Sequence, residues 1–116
     1  MSETPYKQKY TFEERLERTN IMRQKYVNKI PIVLIGGNCM KLKNTQFLVE
    51  SDLTFRQFFC LVRKTYATNI KSNEAMFCMV NNTLPPNSTL LSELYARESE
   101  ADGVLYIYIK KESTFG

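Results

Sequence analysis

Apolar positions along this chain fall into blocks with two distinct periods. The first ten residues, "MSETPYKQKY", are short and polar. In "TFEERLERTNIMRQKY", Phe12, Leu16, Met22 and Tyr26 lie roughly on one stripe among charged neighbours, the spacing of a helix. Thr11 followed three residues later by Glu14 is a capping box, so a helix is read from about Phe12 to Lys25. Its stripe is thin, which places it on a surface and outside the central core. "KIPIVLIGG" is a β-branched run closed by Gly36, Gly37 and Asn38, a strand leaving through a turn. Pro31 lacks an N–H, so it is expected at the strand's start or where no ladder bond is needed. A loop with Lys41 and Lys43 leads to "TQFLVE", the second strand of a hairpin with an enlarged loop. "SDLTFRQFFCLVRKTYA" is the strongest helix. Thr54 and Gln57 cap it, and Phe55, Phe58, Phe59, Val62 and Tyr66 follow the helical repeat. Arg63 and Lys64 complement the dipole at its end. "AMFCMV" reads as a short strand, "NNTLPPNST" as a loop stiffened by Pro85 and Pro86, and "LLSELYA" as a short helix. "GVLYIYIKK" is nearly all apolar or β-branched, as a central strand should be.

The order is therefore helix, strand, strand, helix, strand, short helix, strand. A hairpin, a crossing helix and two further strands predict an α+β fold, the ubiquitin-like β-grasp with a four-stranded mixed sheet. The leading helical segment is an addition to it. Residues 1–10 form an N-terminal segment. Residues 11–116 form one domain, with a flexible C-terminal tail from about 112.

Composition narrows the function more than the fold. The chain has 116 residues, 43% apolar and 24% charged, ordinary for one globular domain. Its net charge is +4, concentrated in residues 1–30, where seven Lys and Arg face four Glu. That suits acidic peptides, anionic headgroups or nucleic acid without choosing among them. The chain contains no histidine, which removes Ser-His-Asp and Cys-His catalysis and weakens any zinc site. No metal, cofactor or enzymatic activity of its own is expected. Cys39, Cys60 and Cys78 form no CxxC and fit a reducing cytosol, and Cys60 and Cys78 read as buried packing residues. The longest apolar runs are too short to span a bilayer. Nucleic acid is not expected as a partner, because the basic charge is modest and unclustered.

Taken in order, "YTFEERLER", "NKIPIV", "FLVESDLTFRQFFCLVRK", "AMFCMVNNTLPP", "DGVLYIYI" and the final "TFG" resemble the autophagy ubiquitin-like modifiers of the GABARAP-like family. The resemblance runs from about Tyr6 to Gly116. It implies that Gly116 is an acyl donor. Its carboxylate would be activated with ATP by an activating enzyme and carried as a thioester on that enzyme and on a carrier enzyme. It would end as an amide on phosphatidylethanolamine. A cysteine protease would act in processing and deconjugation. The protein would be cytoplasmic, moving to the autophagosomal membrane once lipid-conjugated. Glycine suits the role, since it has no Cβ to hinder its carbonyl.

The resemblance also implies a docking site for cargo receptors and adaptors carrying short aromatic-x-x-aliphatic motifs, added as a strand beside the second strand. Carried over by position, the aromatic pocket involves Met22, Pro31, Val33, Leu48 and Val104. The aliphatic pocket involves Phe47, Leu48, Leu53, Phe58 and Leu61, and Lys29 and Arg63 attract acidic flanks. Each apolar member is equally suited to the core, Leu53, Phe58 and Leu61 above all. Three residues depart from the family pattern. Arg18 stands where an acid is common, Gln46 where a lysine is common, and Val104 where a phenylalanine is common. The pocket is expected to be roomier, with a preference shifted toward acids near Arg18. A second family face on the third strand places Phe77 and Met79 together, which burial explains equally well. Tyr6, Lys7 and Lys9 stand at the approach to the first helix. Against all this stands a non-conjugated ubiquitin-like interaction domain, which binds peptides and forms no lipid adduct.

Overall fold

Three threonines at helix entrances show how local sequence sets the elements. The structure is a computed structural model, described here for residues 4–36, 45–66 and 70–113. Thr4 accepts the Lys7 amide and Pro5 follows it, so a short α1 forms over Pro5–Lys9 within the stretch that reads as merely polar. Thr11 accepts the Glu14 amide at 3.2 Å while the Glu14 carboxylate accepts the Thr11 amide at 2.9 Å, opening α2, Phe12–Lys25. The same box at Thr54 and Gln57 opens α3, Phe55–Thr65. Helix α4, Leu91–Glu98, has no side-chain cap. Its first amides, Leu91 and Ser92, donate instead to the Leu53 and Ser51 carbonyls. The Phe55 and Arg56 amides donate in turn to the Thr89 and Asn87 carbonyls. The starts of α3 and α4 are thus stitched to each other's approach loops, which fixes the turn that carries Leu53.

The strands are β1, Lys29–Gly36; β2, Gln46–Glu50; β3, Glu74–Met79; and β4, Leu105–Ser113. They form one mixed sheet in the order β2-β1-β4-β3, with β1 and β4 parallel at its centre and both outer pairs antiparallel. The fold is the expected ubiquitin-like one, with strand β4 buried in the middle. Strand β4 continues through Ser113, so Glu112 and Ser113, where a flexible tail is expected from the sequence, belong to the sheet. Gly37, Asn38, Cys39, Lys41, Lys43 and Gly116 lie outside the described residues.

Pro31 is harmless in an inner strand for a geometric reason. The Leu34 amide donates to the Thr45 carbonyl, so even-numbered amides of β1 point toward β2. An amide at 31 would point toward β4, and that ladder begins only at the Ile32–Leu105 pair.

One face of the sheet packs against α3 and α4. Phe55, Phe58, Val62 and Tyr66 meet Leu91, Leu94, Ile32, Leu34, Leu105, Ile107 and Ile109 there. On the other face Tyr6, Val33, Val104 and Tyr106 form a smaller cluster beneath α1 and α2. Helix α2 is amphipathic only weakly. Phe12 and Tyr26, read as part of its apolar stripe, are exposed, and Thr19 is its one buried residue. The helix therefore depends on polar anchoring. A Cβ on Gly103 would sit 2.6 Å from the Thr19 methyl, and Gly103 has a φ of +81°, so only glycine permits this close approach.

Cys78 is buried in the core as expected, but Cys60 is exposed, because the helical repeat that turns Phe58 and Val62 inward turns position 60 out. Burial pushes the Cys78 thiol up to about 12. In a Cys39→Ser background near neutral pH, a thiol reagent should therefore modify one cysteine rapidly. The second should react only once urea unfolds the protein. Two fast equivalents in folded protein would contradict the burial of Cys78.

Candidate functional site: a pocket beside an open strand edge

Beneath α2 the sheet's second face is not fully covered. A cavity of about 120 Å³ opens there, lined by Tyr6, Met22, Pro31, Val33, Gln46, Leu48 and Val104, with Ile32 and Phe47 behind. All five residues expected in an aromatic pocket are brought together. Strand alternation explains the set. Pro31 pairs with Leu48 and Val33 with Gln46 across β1 and β2, so these side chains share one face. Val104 stands just before β4 and is 1% exposed, at the inner end of the cavity lining. A cavity of roughly 150 Å³ can hold a benzene ring, so the volume and its open mouth suit a single aromatic side chain.

Beside the pocket runs the free edge of β2, the outermost strand on this side. Thr45 accepts from Leu34, and the Ser51 amide donates to the Asn28 carbonyl. Odd-numbered backbone groups of β2 therefore face β1, and those of Gln46, Leu48 and Glu50 face outward. The Glu50 carbonyl accepts from the Leu53 amide at 3.4 Å, while Gln46 and Leu48 have no backbone partner on that side among the described residues, so an extended peptide can pair there, at the strand that also walls the pocket.

The residues expected in an aliphatic pocket are placed less uniformly. Leu48 faces the cavity just described. Phe47 and Leu53 are half-buried and pack on the main core. Phe58 is 1% exposed and belongs wholly to the core, so it cannot touch a ligand directly. The same repeat that buries Phe55 and Val62 carries it inward. Leu61 is 52% exposed and offers an apolar surface on α3. Arg63 is exposed on α3 as well. Lys29 lies 3.7 Å from Glu50 and 5.6 Å over the Tyr26 ring, so its charge is partly engaged. Phe77 and Met79 are half-buried on β3.

The sequence reading missed Tyr6 and Ile32 as pocket residues, and Tyr10 as their support. Thr4 followed by Pro5 was the available signal, since that pair opens α1 and drops Tyr6 onto the sheet at 5% exposure. Lys7 holds α1 in place, 2.6 Å from Glu100 and 4.6 Å over the Tyr106 ring. A buried network anchors α2 next to it. Arg15 donates from Nε to Asp102 Oδ2 at 2.8 Å and from Nη1 to the Tyr10 carbonyl at 2.8 Å. The Tyr106 hydroxyl also donates to Asp102 Oδ2, and the Val104 amide to Asp102 Oδ1. Burial, then the Asp102 contact, pushes the Tyr106 phenol far above its ordinary value, so it remains a donor. Arg18 spans the pocket rim, donating from Nη2 to Gln46 Oε1 at 2.9 Å.

Among the described residues no group of three or more Cys, Asp or Glu is arranged to hold a metal ion. None of the described helices is long and apolar enough to cross a membrane.

Comparisons with known proteins bear on the family and the fold. Residues 14–116 match the family described as autophagy protein Atg8, ubiquitin-like. The chain is 34% identical to autophagy-related protein 8B of Oryza sativa subsp. indica over 119 residues, covering 100% of this chain and 98% of the relative. It is 33% identical to autophagy-related protein 8 of Kluyveromyces lactis, covering 96% and 90%. The crystal structure of Trypanosoma brucei ATG8 superimposes with a TM-score of 0.85 at 30% identity, over 99% of this chain and all of that one. Plasmodium falciparum Atg8, solved with a P. falciparum Atg3 peptide, shares the fold with a TM-score of 0.81 at 24% identity and the same coverage. This chain belongs to the Atg8 family of autophagy ubiquitin-like proteins.

Proposed function

We propose that this protein is a lipid-conjugated autophagy modifier. Gly116 is joined to phosphatidylethanolamine on the autophagosomal membrane, and the pocket beside β2 recruits receptors with aromatic-x-x-aliphatic motifs. The observation that carries the docking half is the meeting of an apolar, ring-sized cavity with an unpaired strand edge. Main-chain bonds along β2 supply affinity and the cavity selects the aromatic residue. Membership of the Atg8 family supports the conjugating half.

The chemistry asks nothing catalytic of this chain. ATP converts the Gly116 carboxylate to an acyl adenylate, releasing pyrophosphate. A cysteine thiolate of an activating enzyme displaces AMP and forms a thioester. A carrier-enzyme cysteine takes the acyl group by exchange. The amine of phosphatidylethanolamine then attacks, forming the amide and freeing the thiol. An Atg3 peptide lies in the complex of the Plasmodium protein, and engagement of such a carrier is part of the reading for this one. Geometry favours the two halves coexisting. Strand β4 runs from Leu105 to Ser113, about 26 Å at roughly 3.3 Å per step. The pocket sits at its start and Ser113 at its far end, so the docking site and the last described residue are separated by the length of the strand.

The test is reconstitution with ATP, activating enzyme, carrier enzyme and vesicles containing phosphatidylethanolamine. A mass increase equal to the lipid less one water is expected on Gly116, and none when Gly116 is deleted. Peptide binding without any adduct would establish the non-conjugated interaction domain instead.

A further inference from the structure

Although Val104 is a short side chain, the cavity beneath α2 measures only about 120 Å³. Its buried lining is Ile32, Val33, Val104 and Tyr6, and of these Tyr6 alone stands off the sheet, on the five-residue α1. The Tyr6 ring packs in one cluster with Val33, Val104 and Tyr106 and is 5% exposed. It is held from several sides. Thr4 accepts the Lys7 amide at 3.3 Å and Pro5 opens the turn, which fixes the backbone at Tyr6. Lys7 pins the same helix to Glu100 and to the Tyr106 ring. The Tyr6 and Tyr10 rings lie 5.2 Å apart, centre to centre. The Tyr6 side chain is also a hydrogen-bond partner of Arg18, which donates in addition to Gln46.

We infer that Tyr6 is the specificity-determining residue for the size of the aromatic anchor: with its ring in place the site takes a phenyl-sized side chain and rejects an indole. The inference rests on the strand-addition reading above. A cavity of roughly 150 Å³ holds benzene, so one of about 120 Å³ takes a single phenyl ring with its edge in the open mouth. The second, fused ring of an indole must displace a wall or stay in water. The walls on the sheet cannot part without breaking the β1–β2 ladder, whose Pro31–Leu48 and Val33–Gln46 pairs carry them. Met22 is a flexible side chain, half-buried, and yields at the mouth. Displacing Tyr6 instead breaks its packing on Val104 and Tyr106 and deprives Arg18 of an acceptor.

The test uses two labelled aromatic-x-x-aliphatic peptides that differ only in Phe against Trp at the aromatic position. The native protein should bind the Phe peptide about tenfold more tightly, the lower end of the cost of forcing extra ring atoms into packed space. Tyr6→Phe keeps the ring and should keep the preference. Tyr6→Leu and Tyr6→Ala cut the wall back. Both should abolish or reverse the preference, and the Trp peptide should bind them more tightly than it binds the native protein. A merely supporting role for Tyr6 would weaken both peptides together and leave their ratio alone. Equal affinity of the native protein for the two peptides, an undiminished Phe preference in folded Tyr6→Leu and Tyr6→Ala, or its loss in Tyr6→Phe overturns the assignment of Tyr6 and leaves the docking site standing. Failure of the native protein to bind either peptide overturns the docking reading and this inference together.

Discussion

Replacing Asp102 with alanine is expected to lower the unfolding free energy by about 3–5 kcal/mol, the usual cost of removing one partner from a buried ion pair. The Asp102 side chain is 2% exposed and that of Arg15 is 12% exposed, so water cannot take over the lost contacts cheaply. The carboxylate accepts from three groups: Arg15, Tyr106 and the Val104 amide. Each donor left unsatisfied in the interior costs about 1–3 kcal/mol. The loss falls on a helix with little else to hold it, since α2 buries Thr19 and leaves Phe12, Ile21 and Tyr26 exposed. Asp102→Asn should be milder, because it retains an acceptor for the Val104 amide. Urea unfolding followed by circular dichroism gives the difference directly. A loss below about 1 kcal/mol would mean that α2 is held by its apolar contacts and not by this network.

The contrast between α2 and α3 explains what could be read from the residues. In α3, capping box, apolar repeat and basic end all agree, and the helix and its buried face follow from them. In α2 the cap was legible but the stripe misled, because the helix is positioned by Arg15, Thr19 and the loop at Asp102 and Gly103. Those contacts join residues 87 positions apart, a separation that no local period encodes. Strand order was accessible through the hairpin and the apolar closing strand. The exposure of Cys60 was legible as well, since the repeat through Phe55, Phe58, Val62 and Tyr66 leaves position 60 facing outward, and reading the apolar run as a whole concealed it. At the pocket, Met22, Pro31, Val33, Leu48 and Val104 came from family resemblance and are brought together in space. Phe58 came from the same source and is inaccessible, so position in a family pattern does not separate lining from support. Arg18 and Gln46 each departed from the pattern singly. Only the fold reveals that the two departures touch.

Leu48 allows the two components of strand addition to be separated, since its side chain walls the cavity while its amide faces outward from β2. Leu48→Ala removes apolar contact alone and should weaken an aromatic-x-x-aliphatic peptide about tenfold, as roughly 1–2 kcal/mol of burial is lost. Leu48→Pro removes the same side-chain contact and also deletes the outward N–H. It leaves the β1–β2 ladder intact, because that ladder uses the odd-numbered groups of β2, and proline is tolerated on an edge whose N–H faces solvent. A peptide carbonyl seated opposite it would lose its donor, at a cost of about 1–3 kcal/mol. The combined weakening should approach a hundredfold, with an unchanged far-ultraviolet spectrum and a comparable urea midpoint. Fluorescence anisotropy of the labelled peptide against both variants makes the measurement. If proline and alanine weaken binding equally, the peptide makes no main-chain bond at Leu48 and lies across the pocket without joining the sheet. In that event affinity comes from the cavity alone, and the register of β2 no longer sets which peptide residue enters it.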